Sequence, residues 1–390
     1  MAPVTRVPTS ARGIGGAPFR LMLGATVLAF SGYALLLPVV PLWVARGGSG
    51  AFGAGATTGV LMLATVVTQL GVPWMLARIG HRWVLAIGSV LLGAPAPLLA
   101  LSPALAPVLG VSVLRGIGFG MLTVAGGALV AELVPRAQHG RAAARYGLAV
   151  GLPQLGLLAA GVAVVDQLGF TVVFLAAGVA PVLGALLVPL IGPAGGDGAD
   201  PLAGPAGAGM LARSAFAPVL AMIACSIAQG GLITFLPLAA PDAGLLVALA
   251  LLATSAGALL GRLLAGELVD RRGWGARLLA PGMLLTAAGM VAEVIAVTTG
   301  GGVLLAVGAG VVGVGFGVVQ NASLTALFTA FGSARYGAAS AAWNIAYDAG
   351  TGVGAVGLGA VAEPFGFAAA FGTSAALLGG TALLARTRRR

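Results

Sequence analysis

Residues 302–331, GVLLAVGAGVVGVGFGVVQNASLTALFTAF, form a long apolar stretch without a charged residue. A helix needs about 20 consecutive apolar residues to cross the hydrocarbon layer of a membrane, and this stretch is long enough. Twelve apolar stretches of this kind lie along the chain, at about 21–45, 52–77, 84–101, 107–134, 142–165, 170–191, 215–240, 243–268, 277–299, 302–331, 337–361 and 367–385. The sequence therefore predicts an all-α integral membrane protein with twelve transmembrane helices.

The overall composition excludes the other broad classes of protein. Of the 390 residues, 59% are hydrophobic and only 8% are charged, whereas a soluble domain carries roughly 25% charged residues. Intrinsic disorder requires low hydrophobicity, which this chain does not have. The strands of a membrane barrel alternate apolar and polar residues over about ten positions, but the apolar runs here are continuous and longer. Lipid is therefore the main solvent of this chain.

The basic residues argue against nucleic acid and ATP as partners. The formal net charge is +10, and all 20 basic residues are arginines scattered between apolar segments, unlike the clustered patch of a nucleic-acid-binding protein. The sequence contains no lysine, so it lacks the phosphate-binding G-x-x-x-x-G-K-[ST] loop and cannot by itself drive transport with ATP. Two isolated histidines and one cysteine, Cys225, form no set of metal ligands. We expect no cofactor, no metal and no nucleic-acid partner.

The longest break between apolar stretches divides the chain into two parts. Residues 192–213, GPAGGDGADPLAGPAGAGMLAR, are rich in Gly, Pro and Ala and show no apolar periodicity, which is typical of a flexible linker. The predicted plan is a cytoplasmic tail at 1–18, a six-helix half at 19–191, a cytoplasmic linker at 192–213, a second six-helix half at 214–386 and a basic tail at 387–390.

Arginine placement predicts the orientation in the membrane. Cytoplasmic loops of membrane proteins carry an excess of basic residues. With the N-terminus inside, Arg46 is the one arginine in an outer loop, and the inner segments hold Arg6, Arg12, Arg20, Arg78, Arg82, Arg136, Arg141, Arg145, Arg213, Arg271, Arg272, Arg277, Arg335, Arg386, Arg388, Arg389 and Arg390. The all-arginine, Ala- and Gly-rich composition is typical of GC-rich bacterial codon usage. We therefore expect a multi-pass protein of the bacterial cytoplasmic membrane with both termini in the cytoplasm.

Three short motifs recur in the same order, six spans apart. The pairs are Arg78-Ile79-Gly80 with Arg271-Arg272-Gly273, Gly116-Ile117-Gly118-Phe119-Gly120 with Gly313-Val314-Gly315-Phe316-Gly317, and Arg145-Tyr146-Gly147 with Arg335-Tyr336-Gly337. Parallel repeats of this kind place a substrate site near the bilayer midplane, between the halves. The matches predict that the two halves are pseudo-repeats of one another.

The loop after the eighth span carries the most specific motif. Residues 266–273, GELVDRRG, match the pattern G-x-x-x-D-R-x-G at every defined position. Over essentially its whole length the chain resembles the major facilitator superfamily, which uses this loop to latch one conformation. The resemblance implies alternating-access transport and assigns the latch to Gly266, Asp270, Arg271 and Gly273.

The equivalent loop after the second span departs from this family pattern. It keeps Arg78 and Gly80 but has Ala77 where the family has Asp. The resemblance therefore implies a second latch at Arg78 and Gly80 that lacks its acidic member.

Two further stretches are similar to family motifs. Arg115 opens RGIGFG in the fourth span, similar to an R-x-x-x-G stretch whose arginine is tied to proton movement in the family. Residues 147–156, GLAVGLPQLG, are similar to the G-x-x-x-G-P-x-x-G-G motif of proton-driven drug antiporters, but Pro153 is displaced by one residue and the last glycine is missing. The alternative for the second stretch is helix packing, because small residues four apart let helices approach closely.

Asp348 is the acidic residue best placed for chemistry. It lies about twelve residues into its span, about 18 Å at 1.5 Å per residue, and therefore near the midplane. Five polar residues share one helix face by their spacing: Ser340, Asn344, Tyr347, Asp348 and Thr351. A polar stripe of this kind indicates the wall of a water-filled cavity, and an Asp within it can take up and release a proton. The alternative is a structural Asp that holds helices together by hydrogen bonds.

Arg115 and Glu293 are the other charged candidates within spans. A charge near the bilayer centre costs roughly 2.5–3.5 kcal/mol or more, so each should face a cavity or a partner. Arg115 can tune a carboxylate or hold an anion, or it can make an interhelical salt bridge or bond to main-chain carbonyls. Glu293 is a proton-coupling candidate as well, although packing in a peripheral span is the alternative.

Neutral polar residues supply candidates for the substrate cavity. Together with Asn344, Tyr347 and Thr351 they are Tyr33, Gln154, Gln229 and Asn321. Ordinary helix packing is the alternative for each of them.

These features favour a secondary transporter over an enzyme, since no nucleophile, base or metal ligands cluster. We expect a monomer whose partners are a small-molecule substrate, protons and membrane lipid. The antiporter-like motif and the few charges expected in the cavity favour proton-coupled export of small, fairly apolar molecules. Proton-coupled uptake of a sugar or another small nutrient is the alternative.

Overall fold

The computed structural model describes residues 13–135, 138–192, 208–332 and 335–387. Ten of its helices are long and apolar enough to cross a membrane. They are α1 (Ala17–Arg46), α2 (Gly50–Gly93), α3 (Leu105–Leu133), α4 (His139–Leu168), α5 (Phe170–Leu187), α6 (Ala208–Ala239), α7 (Leu245–Arg272), α8 (Leu279–Thr299), α9 (Gly302–Phe331) and α10 (Tyr336–Thr387). The predicted all-α membrane architecture is confirmed at this level.

Two of these helices are interrupted by a single glycine. Gly80 has φ 78° and ψ 159° inside α2, and Gly366 has φ 80° and ψ 167° inside α10. Glycine adopts a positive φ readily because it has no Cβ. We therefore describe α2 as α2a (50–79) and α2b (81–93), and α10 as α10a (336–365) and α10b (367–387).

The helix bounds differ from the predicted ones at two places. The predicted linker, residues 192–213, lies outside the described residues at 193–207, and α6 begins within its last part at Ala208. Ala, Met, Leu and Arg favour helix, so the final residues of that stretch extend the helix instead of the linker. The predicted span 84–101 ends as α-helix at Gly93 and continues as a 3₁₀ turn over Ala96–Leu101, because Pro95 and Pro97 cannot continue the α-helical hydrogen bonds.

The two ends of the helix bundle differ in their charge. One end, where α1 ends and α2 begins, carries Arg46, which pairs with Asp166 at 3.5 Å. We call it the Arg46 end. The opposite end carries Arg78 near the break in α2, and α7 ends there with Arg271 and Arg272. We call it the Arg78 end.

The two glycine motifs that recur in the sequence each lie between two neighbouring helices. In α3, Gly116 and Gly120 lie against the main chain of α2a, and Gly118 lies against α2b. In α9, Gly313 and Gly317 lie against α7, and Gly315 lies against α8. Each motif therefore lets one helix fit between two neighbours at backbone contact distance.

Helices from the first and second parts of the chain meet most extensively along two seams. One is between α4 and α7, and the other, which we call the α2–α10 seam, is between α2a and α10a. Along the α2–α10 seam, Gly55 and Gly59 of α2a face Ala355 and Val356, and a Cβ on Gly352 would lie 2.8 Å from the Cβ of Met62. The helices approach this closely because glycines stand at the contact points.

Glu363 closes the α2–α10 seam at the Arg46 end. Its Oε2 accepts a hydrogen bond of 2.9 Å from the main-chain N–H of Phe52, in the first turn of α2. Gly50 has φ 61°, and a Cβ at this position would overlap the Glu363 carboxylate. A carboxylate from α10 therefore satisfies the free N–H of an α2 helix terminus, where negative charge is favoured.

The packing of α2a loosens toward the Arg78 end. Most residues from 70 to 79 are exposed or half-buried, whereas nearly all residues from 53 to 62 are buried. The last turns of α7 and the first turns of α4 are also largely exposed. The helices are therefore packed closely along the α2–α10 seam at the Arg46 end and more loosely at the Arg78 end.

Candidate functional site

Asp348 lies inside the α2–α10 seam and is only 2% exposed. Its Oδ2 accepts a hydrogen bond of 2.7 Å from Nε2 of Gln69, which comes from α2a. The small residues Ala349 and Gly350 follow it, and Gly350 allows α6 to approach at Ile223. The carboxyl group is thus held between helices from both parts of the chain.

The Gln69 side chain continues this contact to a third helix. Its Nε2 also donates to Oγ1 of Thr123 in α3, at 3.1 Å. Thr123 in turn donates to the main-chain oxygen of Gly120, also at 3.1 Å. Oε1 of Gln69 is buried without a hydrogen-bond partner in the described part of the chain. Both Nε2 hydrogens therefore have acceptors, and one acceptor is the Asp348 carboxyl.

Aromatic rings surround this level of the bundle. Tyr33 of α1 stacks on Phe119 of α3 with ring centroids 4.1 Å apart and an interplanar angle of 8°. In α10, Trp343 stacks on Tyr347 at 5.9 Å, and Phe316 of α9 lies 5.9 Å from Tyr347. Both tyrosines interact electrostatically with Asp348. The carboxyl therefore lies among aromatic rings and neutral polar groups, with few fixed charges.

Arg115 is buried beside Tyr33 and bonds to main-chain carbonyls. Its Nε donates to the oxygen of Leu92 at 3.2 Å, and Nη2 donates to the oxygen of Gly32 at 3.4 Å. No carboxylate of the described residues lies within ion-pair distance of it. These hydrogen bonds join α3 to α1 and α2b. They correspond to one of the alternatives that the sequence allowed for Arg115, bonding to main-chain carbonyls.

Glu293 is fully buried away from the α2–α10 seam. A Cβ on Gly308 of α9 would lie 2.8 Å from its Oε1, so Glu293 sits in the contact between α8 and α9. Neither carboxylate oxygen has a hydrogen-bond partner by distance and angle among the described residues, although the main chain of Ala309 lies beside it. The structure does not bring Glu293 together with Asp348 or Arg115.

The neutral candidates mostly pack helices or bond to their own helix. Gln229 of α6 exchanges hydrogen bonds of 3.1 and 3.2 Å with Thr254 of α7. Thr351 lies against Gly230 of α6. Gln154 and Asn344 donate to carbonyls four residues back, at 3.2 Å and 2.9 Å. Their proposed contact with substrate stays a prediction.

Asn321 lies against α7 at Gly266, the first residue of the GELVDRRG motif. Its Nδ2 would be 3.6 Å from a Cβ on Gly266 of α7, and its Oδ1 is buried without a partner among the described residues. The face of α9 that was expected to line the cavity therefore meets α7 at this position.

The predicted latch residues lie at the Arg78 end. Gly273 ends α7 in the left-handed conformation, with φ 62°, and Arg271 pairs with Glu267 one turn earlier. Asp270 is exposed and has no ion pair within the described ranges. In the other loop, the Arg78 guanidinium lies over the Trp74 ring, 4.7 Å from its centroid.

Gln69 is a site residue that the sequence reasoning missed. The sequence does contain a sign of its role: Gln69 is an amide in the middle of the apolar stretch 52–77. A polar side chain there is costly in lipid and should face a partner. The pairing with a residue 279 positions away cannot be read from periodicity. Chemically, the assembled site offers one carboxyl that can bind a proton in a dry seam between helices.

Comparison with known proteins identifies the type of chain. The sequence profile described as Major Facilitator Superfamily matches residues 22–355. A comparison with curated protein sequences finds no match.

Solved structures with a similar fold are membrane transporters. A bacterial homologue of the human lysosomal transporter Spinster, in an inward-facing and occupied conformation, is 14% identical, with a TM-score of 0.75 over 95% of this chain and 96% of the other. A POT family transporter in complex with 5-aminolevulinic acid is 14% identical, with a TM-score of 0.78 over 95% of each chain. A POT peptide transporter is 15% identical, with a TM-score of 0.79 over 95% of this chain and 94% of the other. At these identities the likeness concerns the fold alone.

Proposed function

The chain belongs to the Major Facilitator Superfamily, and we propose from this that it is a proton-coupled transporter that exports small, fairly apolar molecules. The observation that carries the proposal is Asp348, a buried carboxyl held across the α2–α10 seam by Gln69. Few other charges lie near it, so a proton is the simplest ion for this site to bind.

The fold supports twelve transmembrane helices in two six-helix halves. Counting α2a, α2b, α10a and α10b separately converts ten long helices into twelve spans. The equivalent packing of the two glycine motifs, α3 between α2a and α2b and α9 between α7 and α8, supports a pseudo-repeat. In this plan residues 19–191 and 214–386 are the halves, and 192–213 is the linker.

Alternating access in this plan uses the seams between the halves. The α2–α10 seam is closed at the Arg46 end, whereas α2a is exposed at the Arg78 end. The excess of arginines at the Arg78 end favours a cytoplasmic location for it. The structure then corresponds to a state that is open to the cytoplasm and closed to the outside.

Asp348 supports proton coupling because its surroundings change when the seam opens. A buried carboxyl is far less costly when it is neutral, and an ionised carboxyl requires water or hydrogen-bond donors. Opening and closing of the seam would supply these environments in turn. Arg115, two helices away behind Tyr33, can adjust the site electrostatically without pairing with the carboxyl.

Two features bear on the direction of transport. The stretch 147–156 is similar to a motif of proton-driven antiporters, which favours export, and it lies in α4, which forms the second seam with α7. The sparsely charged, aromatic surroundings of Asp348 favour an apolar substrate over a multiply charged nutrient. Proton-coupled uptake of a small nutrient remains the competing function.

Substrate-induced proton flux in proteoliposomes tests the proposal. The purified protein is reconstituted with a pH-sensitive dye in the lumen, and a broad panel of compounds is added outside. An exchanger exports protons as substrate enters, so the lumen becomes alkaline. A symporter carries protons inward with substrate, so the lumen becomes acidic, and this result would replace export with uptake.

The control for this experiment is a carboxyl at the surface. Asp242→Asn removes an exposed carboxyl from a connection at the Arg46 end and should leave the flux unchanged. Transport of substrate without any proton movement, in either direction, would contradict proton coupling.

A further inference from the structure

The amide of Gln69 determines how the Asp348 carboxyl is held. We propose that Gln69 is a positioning residue whose amide nitrogen stabilises the ionised form of Asp348 by a hydrogen bond. The contact between α2a and α10a is then strongest when Asp348 is deprotonated. The inference rests on the proposed function, since it assigns a partner to the same carboxyl. Beyond the proposed function, it assigns Gln69 as the hydrogen-bond donor to Asp348 and predicts that protonation weakens the α2–α10 seam.

The direction of the hydrogen bond follows from the neighbouring groups. Thr123 has one hydroxyl hydrogen, and it is used in the bond to the Gly120 oxygen. Thr123 Oγ1 can therefore only accept from Gln69, which requires the amide nitrogen on that side. The same nitrogen then faces Oδ2 of Asp348 at 2.7 Å. A flipped amide would set Oε1 against two oxygens, with no hydrogen available from an ionised carboxyl.

A donor in this position favours the ionised carboxyl. A hydrogen bond to an ionised group is roughly twice as strong as one between neutral groups. Proton binding leaves the Gln69 donor in place but removes the charge that strengthens the bond. The contact between α2a and α10a is therefore weaker when Asp348 is protonated.

No cation competes with Gln69 for the carboxylate in the described residues. The titratable neighbours are Tyr33 from α1 and Tyr347 from α10 itself. Arg115 of α3 acts on Tyr33, and Arg262 of α7 acts on Tyr347. The tyrosines are neutral near pH 7, and neither arginine lies within ion-pair distance of Asp348. Gln69 is therefore the side chain whose loss should most directly affect proton binding.

The position of the bond explains how the proton can act on the seam. Toward the Arg46 end, the seam is packed at backbone contact distance through Gly55 and Gly59. From residue 70 to the end of α2a, most residues are exposed or half-buried. The Gln69–Asp348 bond thus lies where the close packing of α2a gives way to looser packing. Weakening it acts at the border between the two.

Infrared difference spectroscopy of the detergent-purified protein measures proton binding directly. The carboxyl stretching band that Asp348→Asn removes reports protonation of Asp348 as pH changes. A hydrogen bond to a charged group is stronger than one between neutral groups by an amount that changes an equilibrium roughly tenfold. We expect Gln69→Leu to raise the protonation midpoint by about one pH unit, because the ionised form loses the stronger hydrogen bond. An unchanged or lowered midpoint would overturn the proposal.

Thr123 provides matched variants for the direction of the bond. Thr123→Val removes the acceptor that orients the amide, so a smaller upward shift of the midpoint is expected. Thr123→Ser keeps the hydroxyl and should keep the wild-type midpoint. If Gln69→Leu does not fold, Gln69→Asn keeps an amide but shortens its reach, and it should give the same upward shift. Equal midpoints in Gln69→Asn and wild type would then overturn the proposal.

Spin-label distances test the effect on the seam. Labels on the exposed residues Val67 of α2a and Val353 of α10a are placed in a background where Cys225 is replaced by Ala. The distance should widen in acid for the wild type, and Gln69→Leu should show the acid distance at every pH. A wild-type distance independent of pH, or an unaltered pH dependence in Gln69→Leu, contradicts the link.

The two levels of the proposal fail in different ways. If Asp348→Asn retains gradient-driven transport, the proposed function is wrong, whatever Gln69→Leu does to the midpoint. If Asp348→Asn abolishes coupling while Gln69→Leu leaves both the midpoint and the distances unchanged, only the role of Gln69 is wrong.

Discussion

At the scale of single residues, two buried carboxyls have different surroundings. Asp348 lies between α2a and α10a and accepts a hydrogen bond from another helix. Glu293 lies in the contact between α8 and α9, beside Gly308. The two carboxyls are both buried, and they differ in that Asp348 lies between helices from the first and second parts of the chain, as the proposed coupling role requires, whereas Glu293 does not.

We expect Asp348→Asn to abolish gradient-driven substrate movement and to leave the protein folded in the membrane. The amide keeps the size and most of the hydrogen bonding of the carboxyl but cannot titrate. Flux into proteoliposomes with and without an imposed pH gradient measures the effect, and exchange without a gradient should survive. Concentrative transport at the wild-type rate across the pH range would make Asp348 a structural residue.

The matched substitution Glu293→Gln should preserve gradient-driven transport in the same assay. Neither Glu293 oxygen has a hydrogen-bond partner by geometry among the described residues, so a neutral amide fits this site without losing an ion pair. A loss of coupling equal to that of Asp348→Asn would show that Glu293 also takes part in proton coupling.

Tyr33 allows a test of a buried hydroxyl without a partner. In the described part of the chain its hydroxyl makes no hydrogen bond, and removing an unsatisfied polar group is neutral or stabilising by up to about 1–3 kcal/mol. Tyr33→Phe should therefore not lower the thermal unfolding temperature in detergent. Trp343→Phe, which loses a 2.9 Å bond to Ser323, should be destabilising by about 1 kcal/mol. A large loss of stability in Tyr33→Phe would reveal an unseen partner.

At the scale of helices, glycines set the distance between α2a and α10a. Gly59 faces Val356 so closely that an added side chain would overlap it, whereas Gly71 on the same helix has open space. A larger side chain in place of glycine should therefore disturb the α2–α10 seam at Gly59 but be accommodated at Gly71.

We expect Gly59→Val to push α2a and α10a apart at the Arg46 end and to shift the protein toward a state open there. Spin-label distances across the α2–α10 seam measure the shift. Gly71→Val is the matched control, since it carries the same cost for helix formation but no steric overlap. Identical distances in the two variants would mean that the Gly59 contact does not limit closure.

The two latch loops give a second prediction for helix ends. Asp270 can accept hydrogen bonds from helix ends or arginines, and Ala77 cannot. Asp270→Asn should therefore shift the balance between inward- and outward-open states more than Ala77→Asp does. Distances between labelled helix ends at the Arg78 end report this balance, and negligible shifts for both variants would show that the family latch does not act in this chain.

At the scale of the whole molecule, the distribution of arginines fixes the expected orientation. Among the described helix ends, Arg46 lies at one end, while Arg78, Arg145 and Arg271 lie at the other. We expect the 192–213 linker and the C-terminus to face the cytoplasm. Reporter fusions within the linker and after Arg390 test this, and activity of a periplasm-only reporter at either position would reverse the topology.

Much of the architecture could be predicted from the sequence because lipid imposes a simple rule. Apolar segments of sufficient length become helices, and the depth of Asp348 followed from its distance to the segment end. Pairings between distant helices could not be predicted, since Gln69 with Asp348, Gln229 with Thr254 and Thr351 with Gly230 depend on packing between segments. Periodicity placed Thr351 on the face of Asp348 but could not show which helix covers it.

Gly80 and Gly366 have a mechanical consequence. Each one joins a seam helix to the next helix, α2a to α2b and α10a to α10b, through one non-helical residue. A single residue offers two soft torsions, which leaves the joined helices few degrees of freedom relative to each other. Gly80 lies at the Arg78 end and Gly366 lies at the Arg46 end. The hinge of α2a and the hinge of α10a are therefore at opposite ends of the bundle. Movement of α2a or α10a at its hinged end therefore also displaces the adjoining end of α2b or α10b.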